Sequence, residues 1–546
     1  MSTAQHEPDF DAVVIGAGFS GLYMLHRLRN LLKLKVQVVE AGGGVGGTWY
    51  WNRYPGAKSD SDSYIYCYSF DDDLLQDWTW SERYPGHAEI RSYLEHVAER
   101  FDLTKDIRFN TRITGATFDE ATGTWTVTTD GGDPVTSRFL ISGAGSLSVS
   151  NTPRFAGVDL FQGDSYHTGH WPHEGVDFTG RRVGIIGTGA SAVQAVPLIA
   201  REASELTVFQ RTANYVVPAR NAPVPPEVTA ARKADYDAIW DRLRQSNFGF
   251  ELYFEEKGAL EVSDEERERE LKARWDEGGF GIWLGSYSDI FFVEEANAKV
   301  RAFLHDRIRE TVEDPETAEL LIPKDHPFGC KRNPLDTGYY ETFNLDHVHL
   351  VDVRSNPIAE ITPTGLRLED GTAYEFDAIV YATGFDAMTG PLTTIDIRGR
   401  GGLPLREKWA EGPRTYLGLM SAGFPNLFTI TGPQSPSVLS NMPVSIEQHV
   451  ELVARIIGDV RDRGAATIEA TREAEDAWVA HNQELAEGTL FPTADSWYMG
   501  ANIPGKPRVF LPNLDFVGPY RAKCDEIVAD DYRGFAFSAS KEAAPA

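Results

Sequence analysis

Residues 161–172 read FQGDSYHTGHWP, and the chain is organised around them because a glycine-rich turn of the dinucleotide-binding kind stands on either side. Upstream, FDAVVIGAGFSGLYMLHRL (10–28) predicts an apolar strand over 12–15, the turn Gly16-x-Gly18-x-x-Gly21, and a helix with Leu22, Leu25 and Leu28 on one face. Gly16 permits the tight bend, Gly18 lets a pyrophosphate approach the backbone, and Gly21 lets helix pack on strand, with the helix N-terminus facing the phosphate charge. Gly16, Gly18, Ser20 and Gly21 are therefore candidate phosphate-cradling residues. A second strand over 36–39 ends at Glu40, 24 residues after Gly16, where a carboxylate can accept hydrogen bonds from ribose hydroxyls.

Downstream, RVGII (182–186) predicts another strand, and Gly187, Thr188, Gly189, Ala190, Ser191 and Ala192 form a second turn with alanine in the third glycine position, which the fingerprint allows. A strand over 206–209 leads to Arg211 and Thr212, and Arg211 again lies 24 residues after the first glycine, Gly187. The offset repeats with the opposite charge. A carboxylate suits a free 2′-hydroxyl, whereas a guanidinium pairs with a 2′-phosphate, so the first site is expected to hold FAD and the second NADPH. Residues 161–172 then join a flavin module to a nicotinamide module, an arrangement built to pass electrons between them.

Between the turns, Gly46, Gly47, Thr48, Trp49, Tyr50 and Trp51, followed by Lys58, Ser59, Asp60 and Tyr66, are expected to line the flavin, since glycines admit a flat ring and tryptophans screen it from water. The strand FLIS (139–142) ends in the glycine turn Gly143-Ala144-Gly145 and closes the first flavin half, and AIVY (378–381) ends in Ala-Thr-Gly, closing the nicotinamide half. Residues 221–329 read as an acidic helical insertion covering the cofactor cleft. They carry a capping box at Ser263 and Glu266, with Val300, Phe303, Leu304 and Ile308 at helical spacing. A later helix bears Ile446, Val450, Val453, Ile457 and Val460 on its core face. Residues 496–507, SWYMGANIPGKP, read as a closing loop, and KEAAPA (541–546) as a frayed tail.

The expected fold class is α/β, with two Rossmann-like dinucleotide-binding domains, for FAD and NADP, and a helical insertion. Its expected boundaries are 1–150 and 385–546 for the two FAD parts, 151–220 and 330–384 for the NADP parts, and 221–329 for the insertion. The closing loop falls near 490–508.

Composition excludes several classes. A formal charge of −29 over 546 residues repels nucleic acid and anionic membranes. The three cysteines, Cys67, Cys330 and Cys524, form no C-x-x-C pair, so no disulfide framework or metal site is expected. No apolar run reaches about 18 residues, and MSTAQHEPDF lacks signal-peptide regions, so a soluble cytoplasmic chain is expected.

The residues resemble the type I Baeyer–Villiger monooxygenases. The family fingerprint F-x-G-x-x-x-H-x-x-x-W-P matches 161–172, and G-G-x-W-x-x-x-x-Y-P-G-x-x-x-D matches 46–60. SPSVLSNM (435–442) and SWYMGANIPGKPR (496–508) resemble the phenylacetone and steroid monooxygenase branch, while Gln434 and Ser59 depart from it. The resemblance implies NADPH- and O2-dependent conversion of a ketone to an ester or lactone through a C4a-peroxyflavin. It implies Arg332 and Asp60 as the catalytic pair, and Lys331, Arg211 and Thr212 at the NADPH 2′-phosphate. Trp497 would close over the nicotinamide, and Ser437, Val438, Leu439 and Met442 would line the ketone pocket. His167 is expected to be structural at the domain join. An N- or S-oxidising flavin monooxygenase, a flavin reductase, and a non-catalytic redox sensor are the alternatives. Trp171 and Arg332 favour ketone chemistry, without choosing among aryl, cyclic, steroidal and linear ketones. A monomer or weak homo-oligomer is expected.

Overall fold

The computed structural model describes residues 7–539, so the tail reading of 541–546 and the first six residues lie outside it. The strands are β1 (Phe10–Ile15), β2 (Val36–Val39), β3 (Ile107–Arg108), β4 (Ile113–Asp119), β5 (Thr124–Thr129) and β6 (Val135–Ser142) on the flavin side. They lie in one sheet in the order β4-β5-β6-β1-β2-β3. Ala12, Val13 and Val14 of the central β1 are fully buried, as parallel strands covered on both faces require. The chain follows the first turn as helix α1 (Phe19–Leu25), then continues as a π-helix over His26–Leu31 rather than as one α-helix. Arg29, on the wider turn, donates to the carbonyls of Phe101 and Asp102 at 2.8 and 2.7 Å.

The second sheet is wholly parallel. It contains β7 (Asp164–His167), β8 (Arg182–Ile186), β9 (Glu205–Gln210), β10 (Val348–Asp352) and β11 (Ala378–Tyr381), in the order β10-β9-β8-β11-β7. Tyr381 is in register with both Ile186 and His167, so the second glycine turn, the Ala-Thr-Gly turn and the fingerprint histidine share one sheet edge. The second turn opens helix α2 (Ala190–Ala200). After β11 the chain returns to the first sheet, where β12 (Asp396–Arg398) pairs with β4 and β13 (Leu427–Thr429) pairs with β6.

Two crossings between the sheets run side by side. Asn151 N donates to Gly384 O, Asp386 N to Val149 O and Met388 N to Ser146 O, each at 2.8 Å. In the insertion, Ser263 caps α3 (Asp264–Glu277) by accepting the Glu266 N–H at 3.1 Å. Val300, Phe303 and Leu304 of α4 (Glu294–Thr311) are buried in the same hydrophobic cluster as Val14 and Leu22. Ile308 of the same helix lies instead in the cluster that holds Val183 and Val208, so the insertion is packed onto the cores of both sheets and cannot open as a separate lid without exposing them. Among the described residues no helix is long and apolar enough to cross a membrane.

Candidate functional site

The first turn is closed by its own hydrogen bonds. Gly16 takes φ 90°, and Glu40, only 4% exposed, accepts the N–H of Ala17 at 2.7 Å and of Gly42 at 2.6 Å. Each bond is charge-assisted and fixes the carboxylate at the end of β2. The N-terminus of α1 carries no capping side chain, which leaves first-turn N–H groups for a pyrophosphate. The chemistry of these donors fits FAD.

The second turn is open. Gly187 takes φ 119° and a Cβ there would meet the Ala382 carbonyl at 2.3 Å, but a Cβ on Gly189 would face empty space. Thr188 Oγ1 donates to Thr212 O at 2.6 Å, α2 likewise lacks a capping side chain, and Arg211 is exposed. Lys331 lies beside Arg211. Burial lowers its pKa, with Arg211 adding to the effect and Asp325 and Asp495 opposing it. Among the described residues neither cation has an ion-pair partner within 4.0 Å. Two cations that feel each other next to a dinucleotide turn, neither of them in an ion pair among the described residues, fit a phosphate-bearing nicotinamide nucleotide.

Arg332 collects four distant segments, at Asp60, Val438, Phe280 and Tyr498. Its Nε and Nη2 donate to Asp60 Oδ2 and Oδ1 at 2.6 and 2.7 Å, a bidentate pair across 272 residues. Nη1 donates to Val438 O at 2.8 Å, and the guanidinium lies 5.2 Å from the centre of the Phe280 ring. Burial opposes its charge, but the Asp60 carboxylate, through charge and hydrogen bonding, outweighs burial and holds the pKa above the ordinary arginine range. Of five N–H groups, three are engaged, which leaves one on each terminal nitrogen. The side chains of Arg332 and Asp60 remain 22% and 29% exposed, so this cation is fixed yet accessible. The buried phenol of Tyr498 is raised above its usual range by burial, while nearby Arg332 pulls it down.

The structure brings some of the expected residues here and not others. Trp49 stacks edge-on against Tyr66 at 5.8 Å, and the Tyr66 phenol is close enough to Asp60 and Arg332 to feel both charges. Trp497 packs on Tyr498 at 4.3 Å, and Ser437, Val438 and Leu439 are buried nearby along the chain, with Met442 half-buried. Tyr50 and Trp51 turn elsewhere: Tyr50 lies between the guanidinium groups of Arg53 and Arg91, and Trp51 stacks edge-on against Tyr50 and His170. Lys58 pairs with Glu82 at 2.5 Å, and the Ser59 hydroxyl bonds the backbone of Ser61 at 3.0 Å. His167 Nδ1 accepts the Gly169 N–H at 3.0 Å, and its Nε2 lies 3.3 Å from Thr383 Oγ1, between the two crossings. The closing loop is tied to the second crossing, since Asn502 donates to Phe385 O at 2.8 Å and Lys506 pairs with Asp386 at 2.6 Å.

Phe280 and Tyr498 were not legible as site residues. Phe280 lies in an insertion with no motif, and only the aromatic-Gly-Pro character of 496–507 marked the neighbourhood of Tyr498.

Comparison with known proteins agrees with this geometry. Residues 11–229 match the flavin-binding monooxygenase-like family. A Baeyer–Villiger monooxygenase of Pseudooceanicola batsensis is 46% identical, with 96% of this chain and 95% of that protein covered. A phenazine N-monooxygenase of Lysobacter antibioticus is 44% identical, with 96% of each covered. A solved structure of oxidized steroid monooxygenase bound to NADP superposes with a TM-score of 0.93 at 51% identity, covering 97% of this chain and 100% of that one.

Proposed function

Since the chain belongs to the flavin-binding monooxygenase-like family, we propose that it is a Baeyer–Villiger monooxygenase that uses FAD, NADPH and O2 to convert a ketone to an ester or lactone. The observation that carries this reading is the Asp60–Arg332 pair, a cation fixed by a bidentate carboxylate yet accessible. FAD, when bound, passes electrons from NADPH to O2 and so supplies the oxidising group.

The chain's own residues do the rest. The first turn and Glu40 hold the adenosine and pyrophosphate of FAD, and Arg211, Thr212 and Lys331 hold the 2′-phosphate of NADPH. Asp60 keeps the guanidinium in one orientation. The two remaining N–H groups of Arg332 can then stabilise negative charge on the carbonyl oxygen of a ketone under attack, with no reorganisation at that moment. Trp497 and Tyr498 exclude water from this face, and Ser437, Val438, Leu439 and Met442 shape the ketone pocket. The three buried, unpaired thiols support a reducing, cytoplasmic setting.

Likeness to the phenazine N-monooxygenase favours a second reading, N-oxygenation in the same site. A panel of aryl, cyclic and steroidal ketones beside phenazine separates the two. NADPH oxidation that rises with a ketone, with the ester found by mass spectrometry, supports the first reading. Product from phenazine alone supports the second.

A further inference from the structure

Thr431 and Leu417 hold left-handed backbone, φ 50° and 59°, which residues with side chains avoid unless their surroundings compel it. His449, on α5 (Met442–Asp462), joins the two. Its Nδ1 accepts the Thr431 N–H at 3.0 Å, and its Nε2 lies 2.8 Å from the Tyr520 hydroxyl, which in turn bonds the Leu417 carbonyl. An acceptor at Nδ1 leaves the ring proton on Nε2, so Nε2–H donates to Tyr520 and Tyr520 donates to Leu417. Burial keeps the ring neutral, pushing its pKa down to about 4.

The turn fixed in this way reaches Arg332 and the closing loop by separate routes. Along the chain it leads to Val438, whose carbonyl accepts from Arg332 at 2.8 Å. Across the chain, Gln434 N donates to Leu511 O at 2.7 Å, and Leu511 N donates to Tyr498 O at 2.8 Å. The same turn is braced from below, because a Cβ on Gly432 would strike the Gly418 carbonyl at 2.4 Å.

We propose that His449 is a positioning residue for ketone oxygenation, setting the places of Arg332 and Tyr498 through Tyr520 and the Thr431 turn. The inference rests on the ketone-oxygenating reading. A histidine that only supported the fold would lower stability and leave product partition alone. A positioning histidine leaves reduction of FAD by NADPH intact, while more of each NADPH's two electrons end in hydrogen peroxide rather than in ester and water.

Three variants test this in FAD-loaded enzyme, with NADPH, O2 and the ketone that the unmodified protein converts fastest. His449→Asn retains an acceptor where Nδ1 stands, His449→Gln retains only a donor toward Tyr520, and Tyr520→Phe removes one hydroxyl with the least disturbance of packing. The ratio of peroxide to ester should rise about tenfold in His449→Gln and Tyr520→Phe, and less in His449→Asn, as loss of one buried hydrogen bond predicts. The rate of FAD reduction should stay within about twofold. An unchanged ratio in FAD-loaded Tyr520→Phe and His449→Gln overturns the role of His449, as does an equal loss in both half-reactions. Absence of ester from the unmodified protein overturns the functional reading itself.

Discussion

The two glycine turns share a spacing and differ in how they treat the residue at its end. Around Gly16, Phe19, Ser20 and Gly21 are buried, and Glu40 is bonded to two backbone N–H groups. Around Gly187, Gly189 and Ala190 are exposed, and Arg211 stands beside Lys331 with no ion pair among the described residues. The first turn is held shut by hydrogen bonds made before any ligand arrives. The second leaves the Arg211 guanidinium exposed and the Lys331 ammonium partly desolvated, with no ion pair to either among the described residues, so that an anion can pair with both. One therefore suits a cofactor that stays and the other a cofactor that exchanges.

The largest expected effect lies at neither turn. Arg332→Ala should retain both nucleotides and still oxidise NADPH, yet lose about 2.7 to 4 kcal/mol at the developing oxyanion, at least about a hundredfold in ester formation. Rapid mixing with oxygen and ketone checks this, and an unmodified ester rate would remove the guanidinium from the chemistry. Arg332→Lys should rescue poorly, since it loses the planar fork that Asp60 grips.

Next is Glu40→Ala, which removes the carboxylate expected to accept from the ribose hydroxyls and should cost about 1.5 to 3 kcal/mol, roughly tenfold to a hundredfold in FAD affinity. The ratio of FAD to protein after dialysis reads it directly. Full retention of FAD would break the contrast with the second turn. Arg211→Ala should raise KM for NADPH by about tenfold and leave KM for NADH nearly unchanged. Equal shifts with both nucleotides would show that the second turn does not read the 2′-phosphate.

The smallest effect is in pH dependence. In the free protein Lys331 has a lowered pKa from burial and from Arg211, and a bound phosphate must raise it, so NADPH binding takes up a proton between the two values. Affinity is then full below the free-protein pKa and declines as pH rises through it, earlier than the usual lysine value of about 10.4 would allow. Titrating the NADPH Kd from about pH 8 upward should show this decline in the unmodified protein and a flatter profile in Lys331→Ala, given the ordinary lysine range.

Legibility followed the range of the forces involved. Gly16 and Gly187 were readable because positive φ is a local demand that glycine meets, and Glu40 and Arg211 because a strand of set length delivers them to the same sheet edge. The Ser263 cap of α3 and the apolar face of α4 were readable for the same reason, as a local bond and helical spacing. The π-helix over His26–Leu31 was not, because Leu22, Leu25 and Leu28 keep an α-helical spacing, while Arg29 bonds carbonyls more than 70 residues away.

Sequence alone therefore indicated two glycine turns with opposite charges at the same offset, because both rest on local backbone geometry; residues 164–167, expected at the join of the modules, instead form an edge strand of the second sheet, and the crossings between the sheets run over 146–151 and 384–388. The meeting of Asp60 with Arg332 came from family resemblance, and no spacing in the chain encodes it. Only the tertiary structure decided that Phe280 of the insertion, the Val438 carbonyl and Tyr498 would surround that pair. It likewise decided that β13 would join β6 far along the chain, and that His449 would tie two strained turns together. These contacts depend on how buried surfaces stack once both sheets exist, and a side chain's distant partners leave no periodicity for a linear reading to find.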